Sequence, residues 1–222
     1  MTSGKLSFVH RFEPGEPDVA PLLLLHGTGG NEDDLLPLGR MIAPGAALLS
    51  PRGKVLENGM PRFFRRLAEG VFDQEDLRVR AHELGDFVAE ARQAYGLAAP
   101  IALGYSNGAN IASAVMLLRP EVLAGAVLLR AMAPFATRPA GPGPDGKPVL
   151  ILSGSRDPLI PSEGAARLAA MLEQAGARVQ HRTVAAGHEL SPVDVNIARQ
   201  WLQSHAPAAS HGTARATPGD QR

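Results

Sequence analysis

An alcohol, a carboxylate and an imidazole occur in that order along the chain, each just beyond a stretch that reads as a strand: Ser106, Asp157 and His188. Serine is a weak nucleophile until a base removes its proton during attack. Histidine can take and return a proton near neutral pH, and a carboxylate can fix its tautomer and stabilise the imidazolium that forms. Together the three residue types suit acyl transfer through a covalent intermediate. Ser106 lies within Gly104-Tyr105-Ser106-Asn107-Gly108, a G-x-S-x-G pattern in which a tight strand-to-helix turn lifts the hydroxyl above a sheet. The flanking glycines are expected to allow the helix close to the strand and to adopt the unusual backbone angles of the turn. Acyl transfer also needs donors for an oxyanion. Asn107, directly after the serine, and Thr28, within His26-Gly27-Thr28-Gly29-Gly30, are the expected backbone donors. The Gly-rich run could instead cradle a phosphate, but neither a Lys-Ser/Thr signature nor a full G-x-G-x-x-G accompanies it.

These groups need a scaffold that brings strand ends together. Leu22–Leu25, Ala46–Ser50, Ile101–Leu103, Gly125–Leu129, Val149–Leu152 and Arg178–Val184 read as strands, most of them continuously apolar as in a parallel sheet buried on both faces. Leu6–Phe12 alternates weakly and reads as an edge strand. Helices are expected from Glu32 with Asn31 as its cap, over Leu77–Tyr95 closed by Gly96, from Ala109 to Leu118, over Ser162–Gly176, and over Ser191–Leu202 with Ser191 and Asp194 as a capping pair. Alternating strands and helices predict a doubly wound α/β sheet, with ligands bound beyond the carboxyl ends of the strands. Ser106, Asp157 and His188 all fall there. Asp194 is the competing carboxylate, but it lies inside the last helix. His10, His26, His82, His181, His205 and His211 are assigned structural roles, because they fall on strands, helices, the Gly-rich loop or the terminal segment.

The 222 residues suit one α/β domain, expected over residues 1–204, with a polar, flexible tail over 205–222 that lacks large apolar side chains. A formal net charge of zero gives no electrostatic case for a nucleic-acid partner. No cysteine is present, which excludes disulfides and thiolate chemistry. The first residues lack the apolar centre of a secretory signal, and no stretch reaches the roughly 18 apolar residues of a membrane span. A cytoplasmic location is expected.

Leu25-His26-Gly27-Thr28-Gly29-Gly30-Asn31-Glu32, Gly104-Tyr105-Ser106-Asn107-Gly108-Ala109-Asn110, Gly154-Ser155-Arg156-Asp157-Pro158 and Gly187-His188 together resemble the phospholipase/carboxylesterase family of α/β-hydrolases, which includes the acyl-protein thioesterases. Ser50-Pro51-Arg52-Gly53 and Arg62-Phe63-Phe64-Arg65-Arg66 are similar to its bacterial carboxylesterase branch, which has hydroquinone-linked members. The resemblance spans Leu22 to Trp201. It implies ester hydrolysis with no metal or organic cofactor, Ser106, Asp157 and His188 as the catalytic groups, and Thr28 and Asn107 at the oxyanion. A homodimer is compatible with it.

Phe63, Phe64 and Phe72 place three of the seven phenylalanines between Lys54 and Asp76, a stretch without clear periodicity. They are candidates for a loop lining the substrate pocket. The same rings could equally anchor a connector to the core. Arg62, Arg65 and Arg66 could meet a substrate carboxylate or pair with Glu69, Asp73 and Glu75 on the surface. Met132, Phe135, Leu159 and Leu190 follow later strands and are further pocket candidates. With little chain left for a helical lid, a shallow site for a small ester with a short or medium acyl chain is expected. Thioesters and lysolipids are alternative substrates, and a non-catalytic ligand-binding protein on the same fold is the alternative from another class.

Overall fold

The structure is a computed structural model and describes residues 6–205; of the tail expected over 205–222, His205 belongs to the last helix, and residues 206–222, with His211, lie outside the described residues. In chain order the elements begin with β1 (His10–Glu13), β2 (Leu22–Leu25), α1 (Leu36–Ile42) and β3 (Leu48–Pro51). Four short strands follow: β4 (Val55–Glu57), β5 (Met60–Arg62), β6 (Arg66–Ala68) and β7 (Val71–Phe72). Then come α2 (Gln74–Tyr95), β8 (Ile101–Tyr105), α3 (Asn107–Leu118), β9 (Gly125–Leu129), β10 (Pro148–Gly154), α4 (Ser162–Gln174), β11 (Arg178–Val184) and α5 (Pro192–His205).

Seven strands form one sheet in the order β1-β3-β2-β8-β9-β10-β11. Only β1 is antiparallel; its partner is β3. The apolar strands divide their side chains between two faces because successive residues point oppositely. Leu22 and Leu24, Ile101 and Leu103, Val127 and Leu129, and Leu150 and Leu152 pack on the face shared with α1 and α5. Leu23 and Leu25, Ala102, Ala126 and Leu128, and Val149 and Ile151 pack on the face covered by α2, α3 and α4. This is the α/β-hydrolase architecture. Among the described residues, no helix is long and apolar enough to cross a membrane.

Several boundaries differ from expectation for local reasons. The edge strand starts at His10 rather than Leu6. Asn31 does not cap a helix; its side-chain oxygen accepts from the Asp33 N–H at 2.7 Å, an Asx turn, and α1 begins only at Leu36 with Pro37 in its first turn. α2 starts before Leu77, because the Asp73 side chain caps it by accepting from the Asp76 N–H at 3.1 Å. Gly96 closes α2 in the left-handed conformation, φ 67°. The final helix runs on to His205, whose ring stacks on Trp201 at 4.8 Å. The stretch between Lys54 and Asp76 is neither loop nor helix but two hairpins, β4–β5 and β6–β7. The Asn58-Gly59 turn has both residues at positive φ, 51° and 81°, as expected of the tight turn that favours this dipeptide.

Candidate active site

Ser106 occupies the turn between β8 and α3 at φ 52°, ψ −114°. The strained conformation therefore falls on the serine itself, not on the flanking glycines as the sequence suggested. Their role is steric. A Cβ on Gly104 would lie 2.5 Å from the Gly108 carbonyl oxygen, and one on Gly108 would lie 1.9 Å from the Leu25 carbonyl oxygen. The Ser106 N–H donates to the Leu129 carbonyl at 2.8 Å and its carbonyl accepts from the Asn110 N–H at 3.0 Å, so neighbouring strand and helix hold the turn from both sides.

Asp157 lies in the loop after β10. Its Oδ1 accepts from the N–H groups of Leu159 (2.8 Å) and Ile160 (3.1 Å), leaving Oδ2 facing His188 Nδ1 at 2.9 Å. The carboxylate is almost fully buried, with 1% of its side chain exposed against 17% for His188. His188 Nε2 lies 3.0 Å from Ser106 Oγ. Because the carboxylate only accepts, Nδ1 carries the proton and Nε2 presents its lone pair to the serine O–H. The three residues separated in sequence form one continuous hydrogen-bonded chain.

The loop carrying His188 is fixed by a residue that the sequence reading overlooked. Arg130, fully buried and at φ 55° just past β9, donates from Nε to the Gly187 carbonyl at 2.8 Å and from Nη2 to the Glu189 carbonyl at 3.0 Å. It thus holds both neighbours of His188. Its remaining contacts include a bidentate pair with Asp194, at 2.8 and 2.9 Å. Asp194 also accepts from the Ser191 N–H and Oγ, at 2.8 and 2.7 Å. Burial pushes the Asp194 carboxyl up, but the bonds from Arg130 and Ser191 outweigh it and hold it below its ordinary value. The competing carboxylate is therefore committed to Arg130. Tyr105 adds a further restraint, donating from its hydroxyl to the His188 carbonyl at 3.1 Å.

Thr28 and Asn107 line the same cavity as Ser106 and His188. No described residue accepts from the backbone N–H of either. The Gly-rich loop is held from below by His26, whose Nδ1 donates to the Gly27 carbonyl at 2.6 Å and whose Nε2 accepts from the Gly53 N–H at 3.0 Å. Burial lowers the His26 pKa and keeps the ring neutral, as that pair of bonds requires. The hairpins hold it from above: the Gly29 N–H donates to the Pro61 carbonyl at 3.0 Å, and Arg62 Nη1 donates to Thr28 Oγ1 at 2.7 Å. The Phe63 N–H donates to Asn107 Oδ1 at 2.8 Å.

Of the pocket candidates, Phe72, Met132 and Leu159 line the cavity of about 60 Å³ beside Ser106. Phe63, Phe64, Phe135 and Leu190 do not. Phe63 and Phe64 are buried in the core, where Phe63 packs on His26 and Phe64 meets Phe72 edge-on. Phe135 is buried beneath the Arg78 guanidinium. Leu190 packs on the α1 and α5 face. Ile160, Asn110, Arg62, Arg66 and Glu69 complete the wall instead. Arg65 pairs with Asp73 and Asp76, whereas Arg62 and Arg66 both turn to Glu57, a partner not foreseen. Among the described residues, no cluster of potential metal ligands occurs.

A family model described as Phospholipase/Carboxylesterase matches residues 10–206. The chain belongs to the phospholipase/carboxylesterase family. It is 48% identical over 196 residues to the hydrolase MhqD of Bacillus subtilis (strain 168), covering 87% of this chain and 97% of that one. The Bacillus cereus carboxylesterase superposes with a TM-score of 0.86 at 44% identity, over 90% of this chain and 95% of the other. The carboxylesterase from Mesorhizobium loti gives 0.83 at 34% identity, over 91% and 97%. The family model spans the chain from β1 through α5, so both hairpins and every strand end described above lie inside the matched region.

Proposed function

We propose that this protein is a serine carboxylesterase that hydrolyses small esters with short or medium acyl chains through an acyl-enzyme. Ser106 Oγ attacks the ester carbonyl carbon while His188 Nε2 takes the hydroxyl proton, and Asp157 stabilises the resulting imidazolium. The Thr28 and Asn107 N–H groups receive the carbonyl oxygen as it becomes an oxyanion. Collapse breaks the bond to the alkoxy group, which leaves as alcohol with the proton from His188. Water then attacks the acyl-Ser106 carbonyl, giving a proton to His188; the carboxylic acid departs and Ser106 regains its hydrogen.

The observation that carries this reading is the unbroken sequence of hydrogen bonds from Asp157 Oδ2 through His188 to Ser106 Oγ. The two unpaired N–H groups beside it and the family membership support it further. The cavity of about 60 Å³ favours a short acyl group. Thioesters and lysolipids would use the same groups.

The test is Ser106→Ala on p-nitrophenyl butyrate. It should lower kcat/KM by about 10⁴-fold or more, and the variant should lose labelling by a fluorophosphonate that modifies the wild-type protein. Undiminished turnover in the variant would end the proposal. A wild-type protein inert to both reagents would instead indicate a ligand-binding protein on this fold. A series of p-nitrophenyl esters run beside palmitoyl-CoA separates short oxyesters from long thioesters.

A further inference from the structure

The wall of the Ser106 cavity carries more positive charge than its partners neutralise. Arg62 and Arg66 both line it, and both pair with the same carboxylate, Glu57: Arg62 Nε at 3.1 Å from Oε2, Arg66 Nη2 at 2.8 Å from Oε1. Glu57 is ionised, because the bond from Arg66 outweighs burial and the Arg62 charge adds to it. One carboxylate thus serves two guanidinium groups. Arg62 is the costlier charge, since only 4% of its side chain is exposed. The same Nε donates to the Phe64 carbonyl at 3.2 Å and Nη1 donates to Thr28 Oγ1 at 2.7 Å, both neutral acceptors. No described residue accepts from Arg62 Nη2 or Arg66 Nη1. Burial lowers the Arg62 pKa and the neighbouring Arg66 charge lowers it further, against the pull of Glu57. Glu69 is the other carboxylate on this wall, and it stands exposed in the β6–β7 turn, where water screens it.

We propose that Arg62 and Arg66 form a carboxylate subsite, and that the esters this protein takes carry a carboxylate a few bonds from the scissile carbonyl. The inference rests on the esterase reading for its substrate but not for its binding site. The spacing follows from Thr28. Its N–H is the proposed oxyanion donor, and its own Oγ1 touches the Arg62 guanidinium, so a group held there is one short side chain away from the carbonyl oxygen. Phe72, Met132, Leu159 and Ile160 supply apolar walls suited to one or two methylenes between the two polar ends. A guanidinium presents its donors in a planar fork that matches a carboxylate, which a neutral acyl tail cannot use.

The test compares three esters by titrating the acid released: ethyl butyrate, monoethyl succinate with the carboxylate on the acyl side, and O-butyryl glycolate with it on the alcohol side. Wild-type protein should prefer one of the two anionic esters over ethyl butyrate, and which one it prefers assigns the subsite to the acyl or the alcohol part. In Arg66→Gln the kcat/KM ratio of that ester to ethyl butyrate should fall about 10-fold or more, and in Glu69→Gln it should rise. Arg62→Lys keeps the charge but loses the fork, and should lower the ratio while retaining the fold. A neutral ester preferred by wild type, with the ratio unmoved in Arg66→Gln and Arg62→Lys, overturns the subsite while leaving the esterase reading intact. Should no ester be turned over, calorimetric titration with succinate decides alone. Millimolar binding that Arg66→Gln weakens supports the subsite, and no binding to the wild-type protein overturns it.

Discussion

Two buried aspartates, Asp157 and Asp194, flank the loop that carries His188, and both accept several hydrogen bonds. Asp157 spends one oxygen on the Leu159 and Ile160 N–H groups and turns the other to an imidazole that is partly exposed. Asp194 turns both oxygens to Arg130, a cation with no exposure at all. The first therefore faces a group that can change its charge during a reaction, and the second faces one that cannot. A carboxylate's role is set by what it faces, not by how deeply it is buried. One aspartate thus orients the His188 ring, and the other fixes the loop that carries it.

The contrast breaks most sharply at Asp157. In Asp157→Asn, kcat/KM on p-nitrophenyl butyrate should fall about 10⁴-fold, with the melting temperature nearly unchanged, because the amide oxygen can still accept from Leu159 and Ile160. A comparable loss in stability rather than rate would place Asp157 with Asp194. Asp194→Asn should do the reverse. It leaves the Arg130 guanidinium buried without a counter-charge, which costs about 3–5 kcal/mol, readable as a lowered midpoint in urea. Replacing the pair together, Arg130→Met with Asp194→Leu, should recover most of that stability. It should still lower kcat, because the carbonyls of Gly187 and Glu189 lose the donor that fixes the His188 loop. Recovery of stability with full activity would deny Arg130 its positioning role.

Smaller effects follow from pH. The Asp194 carboxyl is held below its usual value when folded, so its contribution is present above the unfolded pKa of about 3.8 and disappears as pH falls through the folded one. The wild-type melting temperature should therefore drop steeply below about pH 4, and Asp194→Asn should flatten that limb. His26 gives a gentler slope. Burial lowers its folded pKa, so below about pH 6.5 the unfolded chain binds a proton that the folded one refuses, and stability falls as pH decreases. His26→Gln should reduce the slope between pH 7 and 5 without abolishing it, since burial lowers His181 in the same direction.

The two sides of the site were not equally legible. Ser106 and Asp157 stand out because each follows a strand whose apolar run is visible by itself, and His188 because it follows the last strand; the order of the strands brings their ends to one rim. Arg130 was hidden for the opposite reason. An arginine after an apolar strand reads as solvated, and only the Asp194 partner, 64 positions away, explains its burial. The hairpins over the site were missed although Asn58-Gly59 is a strong turn signal, because strands of two or three residues show no period. Among the phenylalanines, type and clustering could not separate Phe72, on the cavity wall, from Phe63 and Phe64, in the core.

What the sequence determined by itself is local: most strands by their unbroken apolar runs, the serine turn by glycines that leave room for helix against strand, and the candidate serine, aspartate and histidine by their place after strand ends. Which phenylalanine meets the cavity, that Asp194 is bound by Arg130, and that Arg62 and Arg66 share a single carboxylate were decided only by the tertiary structure. Those outcomes depend on distances between segments far apart in the chain, and the strength of a charge or a ring contact depends on that distance and on burial, neither of which a linear pattern carries.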